Sequence, residues 1–246
     1  MEIIDEIVLQ ALAEDLPYPY LLLLVSGGHC QLLAVNGVGA CERLGSTIDD
    51  AAGEAFDKIG KALGLPYPGG PALERLAEGG EAARFPLPRA LLGRKDCDFS
   101  FSGLKTAAGR LAEGAQTAQD RRDIAAAAQG AIAGQLADRT ARAMALYARR
   151  HGGSPLRFAV AGGVAANGEV RRRLQETARE HGFSFAAPPL AYCTDNAAMI
   201  ALAGAERLKA GFSSGLDAAA RPRWPLDEAA ATERPIHVAG RKGAKA

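Results

Sequence analysis

Two paired-glycine turns hold the strongest chemical potential in this chain. The first is Ser26-Gly27-Gly28-His29, after the apolar run ending in Leu24-Val25. The second is Ala161-Gly162-Gly163-Val164-Ala165-Ala166-Asn167, after Phe158-Ala159-Val160. Consecutive glycines present backbone N–H donors with no side chain in front of them, which is how proteins cradle phosphates without a charged residue. Taken alone, Ser-Gly-Gly reads more readily as a tight hairpin, although Cys30-Gln31 continuing into a strand also suits a hairpin that clamps a phosphate or an acyl adenylate. The second turn is more specific, because it ends a strand and opens a helix. Small residues there let a base or ribose lie against backbone, and Asn167 can donate and accept. The competing explanation is close strand–helix packing, with Asn167 as an N-cap. The pattern is not G-x-G-x-x-G, so the NAD-binding fingerprint is absent.

Acidic residues lie between the turns. Asp50, Glu54, Asp57 and Lys61 are spaced by four, three and four, which on a helix places them on one face. Such a face is either solvated or offers a carboxylate to a ribose hydroxyl pair. Asp49 and Asp50 fall at the expected helix start, where negative charge is favoured by about 0.3–1 kcal/mol. Thr194-Asp195-Asn196 sits where a loop enters a helix, so Asp195 is a cap or, with partners from elsewhere, a metal ligand. His29 stands alone and reads as a satisfied polar residue. The chain carries no nucleophile elbow and no His-Glu-x-x-His.

The elements that must position these residues follow from patterning. Residues 1–14 place Ile3, Ile4, Ile7, Val8 and Ala11 on one stripe, an amphipathic helix. Tyr20–Val25 and Gln31–Val35 read as a β-hairpin about the first glycine turn, and Asn36-Gly37 leads to a third strand near Cys41–Leu44. Thr47 precedes a helix expected from Ile48 to about Leu63, stopped by Gly64 and Pro66. Tyr67-Pro68-Gly69-Gly70-Pro71 is a rigid turn into the next helix. Asp98-Phe99-Ser100-Phe101-Ser102-Gly103 alternates as a half-buried strand, with a helix opening at Gly103. A long alanine-rich helix is expected from Arg121 to Arg150, with one break allowed. A βαβ unit follows, with strands Leu156–Val160 and Phe183–Ala187 around a helix from Asn167 to His181. The last helix is expected from Asp195 to Gly211, and the tail beyond Trp224 is expected to be disordered.

Bulk properties narrow the function classes. The 246 residues are 48% hydrophobic and 23% charged, enough for the core of one large domain or a domain and a half. The net charge of +1 provides no overall steering field, so a nucleic acid partner needs a local basic patch. Arg149-Arg150, Arg171-Arg172-Arg173 and the tail with Arg241, Lys242 and Lys245 are candidates, the first two also reading as solvated helix faces. Cys30, Cys41, Cys97 and Cys193 form no C-x-x-C pair, which argues against structural zinc or disulfides and suits a reducing cytoplasm. No apolar stretch is long enough for a membrane span, and the N-terminus lacks signal-peptide order.

The ordered motifs resemble those of the tRNA threonylcarbamoyladenosine transferase family (TsaD/Gcp, the glycoprotease family). They are Leu24-Val25-Ser26-Gly27-Gly28-His29, Ile48-Asp49-Asp50-Ala51-Ala52-Gly53-Glu54-Ala55-Phe56-Asp57-Lys58 and Tyr67-Pro68-Gly69-Gly70-Pro71. Asp98-Phe99-Ser100-Phe101-Ser102-Gly103-Leu104-Lys105-Thr106, the second glycine turn through Asn167, Cys193-Thr194-Asp195-Asn196 and Arg221-Pro222-Arg223-Trp224-Pro225 complete the set. The resemblance implies an α/β, actin/Hsp70/sugar-kinase-like (ASKHA) fold, here the second lobe plus the remainder of the first. Its expected parts are a terminal helix at 1–15, the Gcp-like domain at 16–226 and a disordered tail at 227–246.

The resemblance also implies a function: transfer of the threonylcarbamoyl group from threonylcarbamoyl-AMP to the N6 amine of the adenosine 3′ of the anticodon, in tRNAs reading codons that start with A. Carried over residue by residue, Leu24, Val25, Ser26, Gly27 and Gly28 bind the adenylate. Asp57, Gly70 and Asn167 contact its adenosine and ribose, and Asp195 is one ligand of iron(II) or zinc. ATP or threonylcarbamoyl-AMP is the nucleotide ligand; tRNA and TsaB-like and TsaE-like subunits are the partners, with no membrane and a cytoplasmic location. Family members carry a further N-terminal stretch ending in a His-x-x-x-His helix. Aligned without gaps, those two ligand positions fall on Glu2 and Glu6, which read more readily as exposed acids on a terminal helix turn than as ligands, whose oxygens would favour Mg, Mn or Ca. The chain is therefore expected to begin at an internal or misassigned start and to expose apolar surface. The alternative function is a catalytically impaired nucleotide-binding remnant or partner-binding subunit lacking the metal-binding His pair; a phosphotransferase of the same superfamily ranks behind both.

Overall fold

A computed structural model describes residues 16–153, 155–189, 197–215, 217 and 226–233. Its centre is a five-stranded mixed sheet of β1 (Tyr20–Val25), β2 (Cys30–Gly37), β3 (Ala40–Ser46), β4 (Arg157–Ala161) and β5 (Ser184–Ala186), in the order β3-β2-β1-β4-β5. β2 is antiparallel to β1 and to β3, whereas β4 is parallel to β1 and β5 to β4. All strands except β2 therefore run one way, and Val25, Ser46, Ala161 and Ala186 end at the same edge. The sequence expectation of an α/β fold matches this mixed sheet flanked by helices.

The leucine run of β1 is explained by burial on both faces. Leu21, Leu23 and Val25 point into the larger core cluster, while Tyr20, Leu22 and Leu24 join Leu33, Val35, Ala159 and Ala161 on the other face. A strand covered on both sides reads as a continuous apolar run rather than an alternation.

The larger cluster is roofed by α1 (Ala52–Ala62), α2 (Gly69–Ala77), α3 (Ser102–Gly114), α4 (Ala118–His151) and α5 (Gly168–Glu180). α4 is unbroken. It starts in a capping box, with Thr117 Oγ1 accepting from the Asp120 N–H at 3.0 Å and the Asp120 carboxylate accepting from the Thr117 N–H at 2.9 Å. α6 (Ala197–Lys209) and α7 (Glu228–Glu233) follow. Among the described residues no helix is long and apolar enough to cross a membrane.

Three expectations about elements need correction. The helix expected from Ile48 begins four residues later, because Thr47 does not cap it: the Thr47 hydroxyl donates to the Asp50 carbonyl at 2.6 Å and holds 47–50 in a bend. The Asp98–Gly103 segment is not a strand but makes one parallel bridge, Thr47 to Phe99; Phe99 and Phe101 are both fully buried, and a helix takes over at Ser102. Residues 227–233 are not a disordered tail. Asp227 accepts from the Arg43 N–H at 2.9 Å, Arg43 Nη2 donates to the Ala230 carbonyl at 2.9 Å, and α7 thereby seals the outer edge of β3. Composition identified a polar, alanine-rich segment and missed this single buried arginine that anchors it. The helix expected over 1–14 lies outside the described residues.

Candidate functional site: the strand ends and three helix starts

The two glycine turns lie side by side, because β1 and β4 are parallel neighbours with Leu24 opposite Ala161. In the first, the Ser26 N–H donates to the His29 carbonyl at 2.8 Å and the His29 N–H to Ser26 Oγ at 3.1 Å, which closes the hairpin. Leu24 and Val25 are buried within the sheet, so only Ser26, Gly27 and Gly28 of that predicted stretch face outward. Gly27 and Gly28 are exposed. A Cβ added to either meets nothing within 4 Å, and neither has a positive φ.

The start of α1 is locked to this hairpin. The Gly53 N–H donates to the Ser26 carbonyl at 3.1 Å, and a Cβ on Gly53 would sit 2.6 Å from that oxygen. The Ala52 N–H donates to the Cys30 thiol, whose complete burial pushes its pKa well above the ordinary value. Cys30 is a neutral packing group here, not a nucleophile.

Gly162 shows the same tightness, with φ +95° and no room for a Cβ, which would run into the Val25 carbonyl. A 3-10 turn over Gly163–Ala166 then leads into α5. Gly163, like Gly27 and Gly28, has open space where a Cβ would project.

Asp57 and Asn167 make protein contacts that patterning left undecided. Asp57 Oδ1 accepts from the Gly69 N–H at 2.8 Å, which caps α2, and a Cβ on Gly69 would approach the Asp57 Cα to 2.6 Å. Gly70 follows in the first turn of α2, half-buried. Asn167 caps α5: its Oδ1 accepts from the Val170 N–H at 3.0 Å and its Nδ2 donates to Gln129 Oε1 at 2.9 Å. Glu74, which sequence reasoning passed over, reaches from α2 to accept from the Gly168 N–H at 2.7 Å. The start of α5 is thus tied to the middle of α2 through Glu74, and the start of α2 to the middle of α1 through Asp57. Nothing in the spacing of Glu74 announces this role, since it depends on two helices packing end against side.

Asp49 and Asp50 stand before α1 rather than on it. The Asp49 carboxylate accepts from Ser100 Oγ at 2.5 Å, Ser102 Oγ at 2.6 Å, the Phe101 N–H at 2.8 Å and the Ser102 N–H at 3.3 Å. It caps α3 from a distance in sequence, and it explains the alternation in Asp98–Ser102: phenylalanines enter the core while serines turn to one carboxylate. Asp50 pairs with Lys105 at 2.5 Å and Lys58 at 3.3 Å, and Lys58 also pairs with Glu54 at 2.5 Å. The hydrogen bond to Glu54, ahead of the nearby Asp50 charge, raises the Lys58 pKa despite some desolvation. The helix face predicted to carry Asp50, Glu54, Asp57 and Lys61 is therefore broken up, with Asp50 before the helix and Asp57 spent on α2.

The arginine cluster is likewise committed internally. Arg172 pairs with Glu169 and Glu176, Arg173 with Glu169, and Arg171 donates to the carbonyls of Ala165 and Pro188. Arg150 pairs with Glu42. Asp195, Glu2 and Glu6 lie outside the described residues, and among the described residues no three or more His, Cys, Asp or Glu side chains group as a metal site. What the edge offers is a stretch of open backbone bounded by rigid helix starts, suited to an anionic ligand with a flat group.

Comparison with known proteins yields a consistent set. The sequence model of the family described as "TsaD: tRNA N6-adenosine threonylcarbamoyltransferase" matches residues 4–202. A protein named tRNA N6-adenosine threonylcarbamoyltransferase from Caulobacter vibrioides is 71% identical over 235 residues, covering 96% of this chain and 64% of that protein. The protein of the same name from Maricaulis maris is 57% identical over 239 residues, covering 96% of this chain and 63% of its own length. The chain thus spans a little less than two thirds of these relatives. Among solved structures, the activator of the 2-hydroxyisocaproyl-CoA dehydratase from Clostridium difficile with bound ADPNP aligns with a TM-score of 0.46 and 16% identity, covering 87% of this chain and 70% of that one.

Proposed function

Because the chain belongs to the tRNA N6-adenosine threonylcarbamoyltransferase family, we propose that its glycine-lined edge holds threonylcarbamoyl-AMP and takes part in passing the threonylcarbamoyl group to the N6 amine of an adenosine beside the anticodon of tRNA. The observation that carries this reading is the division of the glycines. Gly45, Gly53, Gly69 and Gly162 are glycine because backbone of a neighbouring segment leaves no room for a Cβ. Gly27, Gly28 and Gly163 have no such reason within the protein, yet they flank one another at the strand ends, where ligands of α/β sheets bind.

The chemistry is acyl transfer to a weak nucleophile. The N6 amine forms a bond to the carbamoyl carbon, the carbon–oxygen bond to the phosphate breaks, AMP leaves and the amine gives up a proton. Negative charge develops on the carbamoyl oxygen, and fixed N–H donors lower that barrier without moving. Gly27 and Gly28 offer backbone N–H groups with no hydrogen-bond partner among the described residues. The resemblance assigns Leu24–Gly28 to the adenylate, with the contact falling to Ser26, Gly27 and Gly28. It assigns Asp57, Gly70 and Asn167 to the adenosine. Asp57 offers its second carboxylate oxygen, Gly70 its N–H, and Asn167 the remaining N–H of its amide.

Asp195 is the proposed ligand of an iron(II) or zinc ion, which in this chemistry would polarise the carbamoyl oxygen. tRNA, TsaB-like and TsaE-like subunits and a cytoplasmic location complete the proposal on the strength of family resemblance. Titration calorimetry with ATP and with a non-hydrolysable threonylcarbamoyl-adenylate analogue tests the site. Saturable heat whose affinity Gly28→Val weakens at least about tenfold supports it, and no heat from the parent chain overturns it.

A further inference from the structure

The turn joining α1 to α2 has a surface character that the nucleotide site does not use. Tyr67 is 86% exposed and makes no ring contact, hydrogen bond or ion pair among the described residues. A large aromatic held out in water contributes nothing to the core, and this one is rigidly presented. It lies between Pro66 and Pro68, and the next residue, Gly69, is tied by its N–H to Asp57 and pressed against the α1 backbone.

Two cations accompany the same turn. Lys61 is exposed and unpaired among the described residues. Arg121, also exposed, reaches from α4 to donate through Nη1 to the Leu63 carbonyl at 3.1 Å, beside Gly64, and makes no ion pair among the described residues. No Asp or Glu occurs from Ile59 to Leu73, and the one carboxylate bonded to the turn, Asp57, already accepts from the Gly69 N–H. This contrasts with Arg172 and Arg173, whose charges are consumed by Glu169 and Glu176.

An exposed aromatic face flanked by unpaired cations is the chemistry that binds single-stranded nucleic acid: the ring stacks on an unpaired base and the cations meet the adjoining phosphates. We propose that Tyr67, Lys61 and Arg121 form a platform for an unpaired stretch of RNA, with one base stacked on Tyr67. The platform rests on the nucleotide-site reading for its purpose, since α2 starts directly after it at Gly69 and Gly70. Its role is to position an RNA loop near that site. Tyr67 is a positioning residue, not a catalytic one.

The test uses the whole 246-residue chain and a labelled RNA stem–loop, with a fully paired duplex of equal length as control. The parent chain is expected to prefer the stem–loop. Tyr67→Ala should weaken that binding by about five- to 150-fold, the range for loss of one base–aromatic stack, while Tyr67→Phe should stay within about twofold because the ring is kept. Lys61→Gln should reduce the slope of log affinity against log salt by about 0.7. ATP heat and thermal stability should be unchanged in all three variants, which separates stacking from a structural role. Equal binding by Tyr67→Ala, equal affinity for duplex and stem–loop, or no RNA binding by the parent overturns the platform. Each of those results leaves the nucleotide site standing if ATP heat persists; absence of ATP heat with RNA binding intact overturns the site and retains the platform.

Discussion

The two glycine turns look alike in sequence and differ in structure. In Ser26-Gly27-Gly28-His29 both glycines are open to solvent with ordinary backbone angles. In the second turn Gly162 is a packing joint, left-handed at φ +95° and set against the Val25 carbonyl, and only Gly163 is open. The pairing therefore combines two reasons for glycine: one keeps neighbouring segments together and the other leaves space for something outside the protein. Residue type alone carries no mark of which reason applies.

Substitution should separate the two reasons. Gly162→Val forces a β-branched residue into the left-handed region and into the adjacent backbone, so a loss of roughly 2–4 kcal/mol is expected. Urea melts of Gly162→Val and the parent measure it directly. A melt indistinguishable from the parent would show that the joint can open freely.

Gly28→Val and Gly163→Val should leave stability within about 0.5 kcal/mol, since their side chains meet nothing. Their effect belongs to the ligand. Blocking a charge-assisted N–H contact worth about 1.5–3 kcal/mol should weaken adenylate affinity about 10- to 150-fold. If either variant is destabilised as much as Gly162→Val, the division between closed and open glycines fails.

Much of the sheet was legible because its strands are bounded by turns with plain chemistry. The hairpin, the third strand, the βαβ unit and the long helix all fall where patterning puts them, within a few residues. The failures share a cause. The start of α1, the role of Asp49 and the docking of α7 are each set by side chains reaching across the fold, from Thr47 to Asp50, from Asp49 to Ser100 and Ser102, and from Arg43 to Asp227 and Ala230. Periodicity reports which residues share a face. It does not report which carboxylate caps a helix that begins more than fifty residues later. The site shows the same limit: the open glycines are visible as Gly-Gly and the Asn167 cap as one of two readings, while the Asp57 bond to Gly69 and the Asn167 bond to Gln129 appear only when α2, α4 and α5 are in place.

Asn167 sharpens the comparison at smaller cost. Removing its side chain takes away the cap of α5 and the hydrogen bond it donates to Gln129 Oε1, so Asn167→Ala should lose about 1 kcal/mol of stability. Asn167→Asp keeps the acceptor for the Val170 N–H but loses the donor to Gln129. If the cap is the chief role, Asn167→Asp should recover most of the stability. If the adenosine also uses the amide, adenylate affinity should remain weakened in both variants, and calorimetry beside a thermal melt resolves the two.

The smallest expected effect lies far from the glycines, at the start of α4. Arg84 bridges Asp120 at 2.6 Å and Asp123 at 2.7 Å, and Asp123 also accepts from the Glu81 N–H at 2.8 Å and Gln119 Nε2 at 2.7 Å. Backbone N–H donation, from Thr117 to Asp120 and from Glu81 to Asp123, is the main cause holding both carboxyls below their ordinary value, with Arg84 adding to it. A carboxyl with a lowered folded pKa binds protons more readily when unfolded. Its stabilisation is therefore present above the unfolded pKa and is lost as pH falls through the folded one. The melting temperature should accordingly hold steady near neutral pH and decline below about pH 4. Asp123→Asn, which keeps an acceptor for the Glu81 N–H but no longer titrates, should make that acid decline shallower, whereas Gly28→Val should leave it as in the parent. An unchanged acid limb in Asp123→Asn would mean that titration of Asp123 makes no difference to folding.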